Sequence, residues 1–140
     1  MSPNRVFDRS FDIVRKDPGV LRRYGDAVKA FGRDHGGHRE GRRNFIEHTQ
    51  YKDNDDGSNR TRVRYNLEGP YGTAFVFAEV SSAMKSGEFV YILVQDKSTG
   101  QVQTLVDNRA ALTAARLSAG NAEAASAMSQ LLQGGGNSGK

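Results

Sequence analysis

Val6, Phe7, Phe11 and Val14 recur at helical spacing behind Ser2-Pro3-Asn4, where a capping residue precedes a proline suited to a first helical turn. The pattern predicts an amphipathic helix. Asp17-Pro18 ends it and caps a second short helix through Leu21 and Tyr24, which Gly25 closes as a left-handed cap. Residues 27–31 then read as a short strand, and residues 32–41, rich in Gly, His and Arg, as a mobile polar loop.

From 41 to 108 the pattern becomes that of an uninterrupted β-meander. Segments 44–51 and 61–68 flank Asp53-Asn54-Asp55-Asp56-Gly57-Ser58-Asn59, a dense run of turn residues, and so predict an antiparallel hairpin with a long loop. Gly69-Pro70-Tyr71-Gly72 is a second turn, leading to a strand over 73–80. Phe89-Val90-Tyr91-Ile92-Leu93-Val94 is almost wholly apolar, which predicts a central strand covered on both sides, one face meeting the N-terminal helix. Lys97-Ser98-Thr99-Gly100 turns the chain into a last strand over 101–106. The expected class is therefore α+β: N-terminal helices packed on a mostly antiparallel, curved meander sheet.

Beyond residue 108 the composition shifts to Ala, Gly and Ser with few apolar anchors. Alanine gives helix propensity without a packing face, so 109–140 is expected to be a helical or disordered tail beside one domain over 1–108. A length of 140 residues suits a single core.

Charge adds a direction. The chain carries 20 Lys and Arg against 16 Asp and Glu, net +4. That excess sits in residues 1–68, where 15 basic side chains meet 11 acidic ones. Such asymmetry suits an acidic protein, nucleic acid or anionic lipid, or else a plain solvated surface. Within the excess, Arg60, Arg62 and Arg64 alternate with Val63, Tyr65 and Leu67. On a strand this aligns three guanidinium groups ~6–7 Å apart on one face and turns the apolar set to the core. Arg64 would face a position close to Glu47 across the hairpin, so cross-strand pairing competes for part of the row. Arg42 and Arg43 precede the partner strand and extend the positive patch. Guanidinium forks of this kind suit carboxylates and phosphates.

Chemistry elsewhere is sparse. The absence of cysteine excludes disulfides, thiol nucleophiles and thiolate metal sites. No apolar run reaches the ~18 residues of a membrane span, and the N-terminus lacks the apolar core of a secretory signal. Gly134 to Lys140 imitates phosphate-loop spacing without the flanking strand, helix and hydroxyl that this chemistry needs. His35 and His38 lack a third ligand, and Gly57 is misplaced for a calcium-binding loop begun at Asp53. No base and nucleophile converge on His48, and Glu47, Glu68, Glu79 and Glu88 are scattered. Neither an enzyme nor a cofactor is expected.

Gly41-Arg42-Arg43, then Tyr51 and Asp53 before Gly57, then Val63 through Gly72, then Val76 and Glu79, follow one another in an order and spacing that resemble the Tim21 family of mitochondrial import subunits. The helix ending at Tyr24-Gly25, the strand at Phe89 to Val94 and Leu105-Val106-Asp107-Asn108 fit as well, so the resemblance covers roughly residues 5–108. Ala74 stands where the family pattern has a glycine, at a local bulge.

The resemblance implies a non-enzymatic tether of the mitochondrial inner membrane, with its domain facing the intermembrane space. Its implied partners are subunits of the inner-membrane presequence translocase, the acidic intermembrane-space tail of the outer-membrane translocase receptor, and respiratory-chain complexes. The anchor and targeting segment of the family are not found in this sequence, so a soluble piece is expected. Arg60, Arg62, Arg64, Arg42 and Arg43 are the expected partner contacts. A basic single-stranded nucleic-acid-binding module, with Arg62 and Arg64 beside Phe75, Phe77 and Tyr71, is the alternative.

Overall fold

Two capped helices begin the molecule. The computed structural model describes residues 2–32 and 46–114. Helix α1 spans Pro3–Val14, with the Ser2 side chain accepting from the Arg5 amide, and α2 spans Pro18–Tyr24, with Asp17 accepting from the Val20 amide. Gly25 leaves α2 at φ 99°, a conformation glycine adopts without a Cβ penalty.

Among the described residues six strands follow: β1 (Lys29–Phe31), β2 (Glu47–Lys52), β3 (Asn59–Gly69), β4 (Gly72–Ser81), β5 (Tyr91–Asp96) and β6 (Val102–Asp107). Every pairing is antiparallel, in the order β1-β3-β4-β5-β6. The long strand β3 organises the sheet. Along one edge it takes β2 against residues 59–64 and β1 against 66–68, and along the other it pairs with the whole of β4. The α+β class with N-terminal helices on an antiparallel meander is the one that the hydrophobic pattern predicts. The β3–β4 pairing runs from Gly69↔Gly72 to Arg60↔Ser81 in unbroken register, and Ala74 is fully buried within it.

The core lies between the helices and one sheet face. Val6, Phe7, Ser10 and Val14 form the buried stripe of α1, which packs on β3 and β4. Opposite them stand Val63, Tyr65 and Leu67 of β3 and Ala74, Val76 and Ala78 of β4. The Phe7 ring meets Tyr65 edge-on at 4.6 Å, and the Tyr65 hydroxyl pairs with Ser10 at 2.8 Å, so both buried hydroxyls are satisfied. Each fully buried valine of this set is worth roughly 1.5–3 kcal/mol relative to an exposed one.

Strand β5 departs from its sequence reading. Ile92, Val94 and Asp96 are buried, whereas Tyr91, Leu93 and Gln95 are half-exposed. It is covered on one face, and α1 sits chiefly over β3 and β4. Phe89 and Val90, which lengthen the apolar run, are buried in the bend before the strand and belong to no ladder. The continuity of the run therefore comes from two causes: a buried bend, and an apolar side chain on the open face.

The chain divides after Asn108, giving units Met1–Asn108 and Arg109–Lys140. In the second, residues 109–114 are helical; the remainder of the expected tail lies outside the described residues. So do Arg42, Arg43, His35, His38 and most of the polar loop expected over 32–41.

Candidate functional site

Among the described residues nothing covers the sheet face turned away from the helices. Register alone assigns its side chains, because directly paired residues share a face. One row across the strands is Glu47, Arg64, Phe77, Leu93 and Thr104; the next is Asn66, Phe75, Gln95 and Val102. Arg62 pairs with Thr49 and Glu79, and Arg60 with Tyr51 and Ser81. The three arginines thus stand on one face of β3, and they differ sharply in what they touch.

Arg60 is 9% exposed and occupied on three sides. Its Nη1 donates to Glu79 at 3.0 Å, its Nη2 to Asp56 at 3.0 Å and its Nε to the Ser58 hydroxyl at 2.9 Å. Burial disfavours its charge, but the Asp56 and Glu79 hydrogen bonds outweigh that and raise its pKa further. Its guanidinium ties the long hairpin loop to β4. Arg62, with a side chain 45% exposed, donates from Nε to Glu79 at 3.2 Å and lies over the Tyr51 ring. Arg64, 42% exposed, pairs with Glu47 at 2.6 Å and lies over the Phe75 ring. The cross-strand pairing expected for Arg64 is present.

Glu79 is the hub of this arrangement. Its carboxylate, 2% exposed by residue, accepts from Arg60, Arg62 and the hydroxyls of Tyr51 (2.9 Å) and Tyr91 (3.5 Å). Burial, with Glu79 adding to it, raises the pKa of both phenols, which keeps them protonated as donors. Sequence reasoning set Glu79 aside among scattered carboxylates. The signal that identifies it is the alternation of β4, which puts it on the same face as Phe75 and Phe77 and opposite Arg62 once the register is known.

Lys97 is a further cation that sequence reasoning did not place. Its amide donates to the Thr73 carbonyl, which fastens the β5–β6 turn against the start of β4. Its Nζ donates to Asn66 Oδ1 at 2.6 Å and lies 4.6 Å from the Phe75 ring centroid, while Arg64 Cζ lies 4.7 Å from the same centroid. Two cations therefore flank one ring. Beside them an open groove of about 710 Å³ runs past Arg62, Arg64, Phe77, Leu93 and Val102.

The hairpin loop is held by its own carboxylates. Asp53 accepts from the amides of Asp55 and Asp56, and Asp56 accepts from the Ser58 hydroxyl at 2.6 Å, the Ser58 amide at 2.8 Å and Arg60. The Ser58 bonds first, with Arg60 adding to them, hold the Asp56 pKa down to about 2. A folded-state pKa below the unfolded value means stability that is present above about pH 4 and is lost as pH falls towards the folded pKa. Melting temperature followed down through this window should fall with a shallower slope in Asp56→Asn than in the parent. Asp96 and Asp12, whose pKa values are also lowered, keep the remaining slope. Identical slopes would show that Asp56 is not so perturbed.

Among the described residues no group of three or more His, Asp or Glu side chains is placed to hold a metal ion, and no helix is long and apolar enough to cross a membrane. The face offers cationic donors beside an apolar floor.

The comparisons with known proteins agree with this architecture. The TIM21 family model matches residues 1–109. The mitochondrial import inner membrane translocase subunit Tim21 of Rattus norvegicus is 34% identical over 112 residues, and that of Homo sapiens 33% over 113; the matches cover 77% of this chain but 43% and 44% of those proteins. The chain thus spans less than half the length of these curated relatives. The solved intermembrane-space (IMS) domain of the mitochondrial import protein Tim21 from S. cerevisiae superposes with a TM-score of 0.60 at 18% identity, over 76% of this chain and 94% of that one, which shows the fold. The chain belongs to the Tim21 family.

Proposed function

We propose that this domain is a non-enzymatic tether of mitochondrial protein import, working at the inner-membrane presequence translocase and facing the intermembrane space, where it binds the acidic tail of the outer-membrane translocase receptor. Contacts to respiratory-chain complexes belong to the same reading. The similarity to translocase subunits supports the setting, and one feature of the open face supports the mode of binding: Arg62 and Arg64 present half-exposed guanidinium groups side by side on a rigid strand. Both already sit against carboxylates, so an incoming acidic side chain finds preformed donors and competes with an exposed pair, Arg64–Glu47, of the kind worth no more than about 1 kcal/mol. Association of this type is steered by charge, fast and sensitive to salt.

Of the five arginines expected to contact the partner, the geometry favours Arg62 and Arg64. Arg60 supports Arg62 through the carboxylate that they share, Glu79. Arg42 and Arg43 lie outside the described residues and carry no part of this argument.

The test is a titration with an acidic peptide and with single-stranded RNA over a range of salt concentrations. The peptide should bind and weaken with salt. Arg64→Glu should lower its affinity about tenfold, equivalent to about 1.4 kcal/mol, with little change in melting temperature. RNA binding without peptide binding would replace the tether with a nucleic-acid module, and an unchanged affinity in Arg64→Glu would move the contact off this face.

A further inference from the structure

The open face is not uniformly basic. Its cations gather at the β2–β3 side, whereas Phe77, Leu93 and Val102 lie across β4, β5 and β6. Val102 is 54% exposed, and Phe77 and Leu93 are half-exposed. Charge alone therefore accounts for only one end of the groove.

We propose that the partner bound here is an amphipathic acidic segment: a carboxylate side chain engages Arg64 and Lys97 beside Phe75, and an apolar side chain on the same face of the segment seats between Phe77, Leu93 and Val102. This rests on the tether reading and specifies the chemistry of its partner. Three observations carry it. Lys97 is exposed, and among the described residues its side chain donates to the neutral amide oxygen of Asn66 and pairs with no carboxylate. Arg64 borders both the groove that runs to Val102 and the smaller recess that holds Phe75 and Lys97, so one segment lying across Arg64 spans both chemistries. The scale fits as well: Arg64 and Leu93 are two strands apart in one row, about 10 Å, which same-face side chains two residues (~7 Å) and four residues (~13 Å) apart in an extended peptide bracket.

The same geometry disfavours stacked bases. Phe75, the aromatic ring best placed beside the arginines, already has Arg64 and Lys97 at 4.7 and 4.6 Å from its centroid. Its neighbour Phe77 is tilted 58° to it, so the two rings do not form a common platform.

The experiment compares two peptides of equal acidic charge, one with apolar residues two and four positions from its acidic residues, on the same face of an extended chain, and one with serine at those positions. With the full chain, the apolar version should bind about tenfold tighter, and that advantage should survive high salt while the binding common to both peptides fades. Val102→Ser, at an exposed position, should erase much of the advantage and leave the weaker serine peptide unaffected. Lys97→Ala should weaken both peptides by the same factor. Equal binding of the two peptides, or a Val102→Ser effect of equal size on both, overturns the amphipathic partner and leaves the tether standing. Failure of both peptides to bind overturns the tether itself, and RNA binding in their place assigns the face to nucleic acid.

Discussion

Arg60→Ala is expected to lower the stability of the domain by about 3 kcal/mol, a larger loss than truncation of Arg62 or Arg64, although all three occupy the same face of β3. The difference follows from what each leaves behind. Arg62 and Arg64 are nearly half-exposed, and water can replace them. Removal of Arg60 strips Glu79 of one of its two guanidinium donors and leaves Asp56 without its cation, in a region where the Glu79 side chain is 3% and the Asp56 side chain 14% exposed. A buried carboxylate that loses its partner costs several times what an exposed pair contributes. Chemical denaturation of the three alanine variants gives the order directly. A double variant, Arg60→Met with Glu79→Met, should recover part of the loss, because the most deeply buried carboxylate is then gone and only Asp56 still lacks its cation. If Arg60→Ala fell within about 1 kcal/mol of the parent, the hub would be solvated rather than buried.

A consequence for binding follows from the same hub. Glu79 orients Arg62 and Tyr51 as well as Arg60. Arg62 is presented by a buried anion, and under the proposed reading its placement depends on a residue beneath the exposed face.

What could be read from the residues divides along a physical line. Ser2-Pro3, Asp17-Pro18 and Gly25 act locally, through caps and a positive φ, so both helices were legible from neighbouring residues. Alternation within β3 was equally local, and it placed Val63, Tyr65 and Leu67 in the core and the arginines opposite. The long turn-rich loop set the β2–β3 register closely enough to bring Glu47 against Arg64. Beyond that point the outcomes are tertiary. Nothing near Arg60 in sequence says that its face is roofed by Glu79, nor does the Lys97 turn announce that it will lie beside Phe75, because both depend on strands more than fifteen residues away. Leu93 shows the opposite error: its apolar neighbours suggested a strand covered on both sides, whereas it lies half-exposed in the groove. An apolar run does not by itself distinguish a covered core face from an apolar floor on an exposed sheet face.

Gly69→Ala is the second substitution expected to be severe, for a reason unrelated to charge. The β3–β4 turn docks on the end of α2: the Tyr71 amide donates to the Tyr24 carbonyl at 3.1 Å, taking up an acceptor that the helix leaves unpaired. That bond requires the backbone at Gly69 to lie against Tyr24, and a Cβ at Gly69 would overlap the Tyr24 carbonyl oxygen. The obstruction is backbone, so no rotamer change relieves it; either the turn or the helix end must move. Tyr24 cannot yield cheaply. It is 2% exposed, and its hydroxyl donates to Asp96 at 2.9 Å, which fixes the β5–β6 turn carrying Lys97. The cost is expected near 3 kcal/mol, the upper part of the range for overpacking, or a fall of roughly 4–8 °C in melting temperature for each kcal/mol. Gly72→Ala provides the comparison within the same turn: its Cβ would meet the Tyr24 ring at 3.5 Å, an ordinary contact distance. Thermal melts should therefore separate the two alanines widely, with Gly72→Ala close to the parent. Equal losses would mean that the glycines serve the conformation of the turn, and a mild Gly69→Ala would mean that the α2 end is not seated on it.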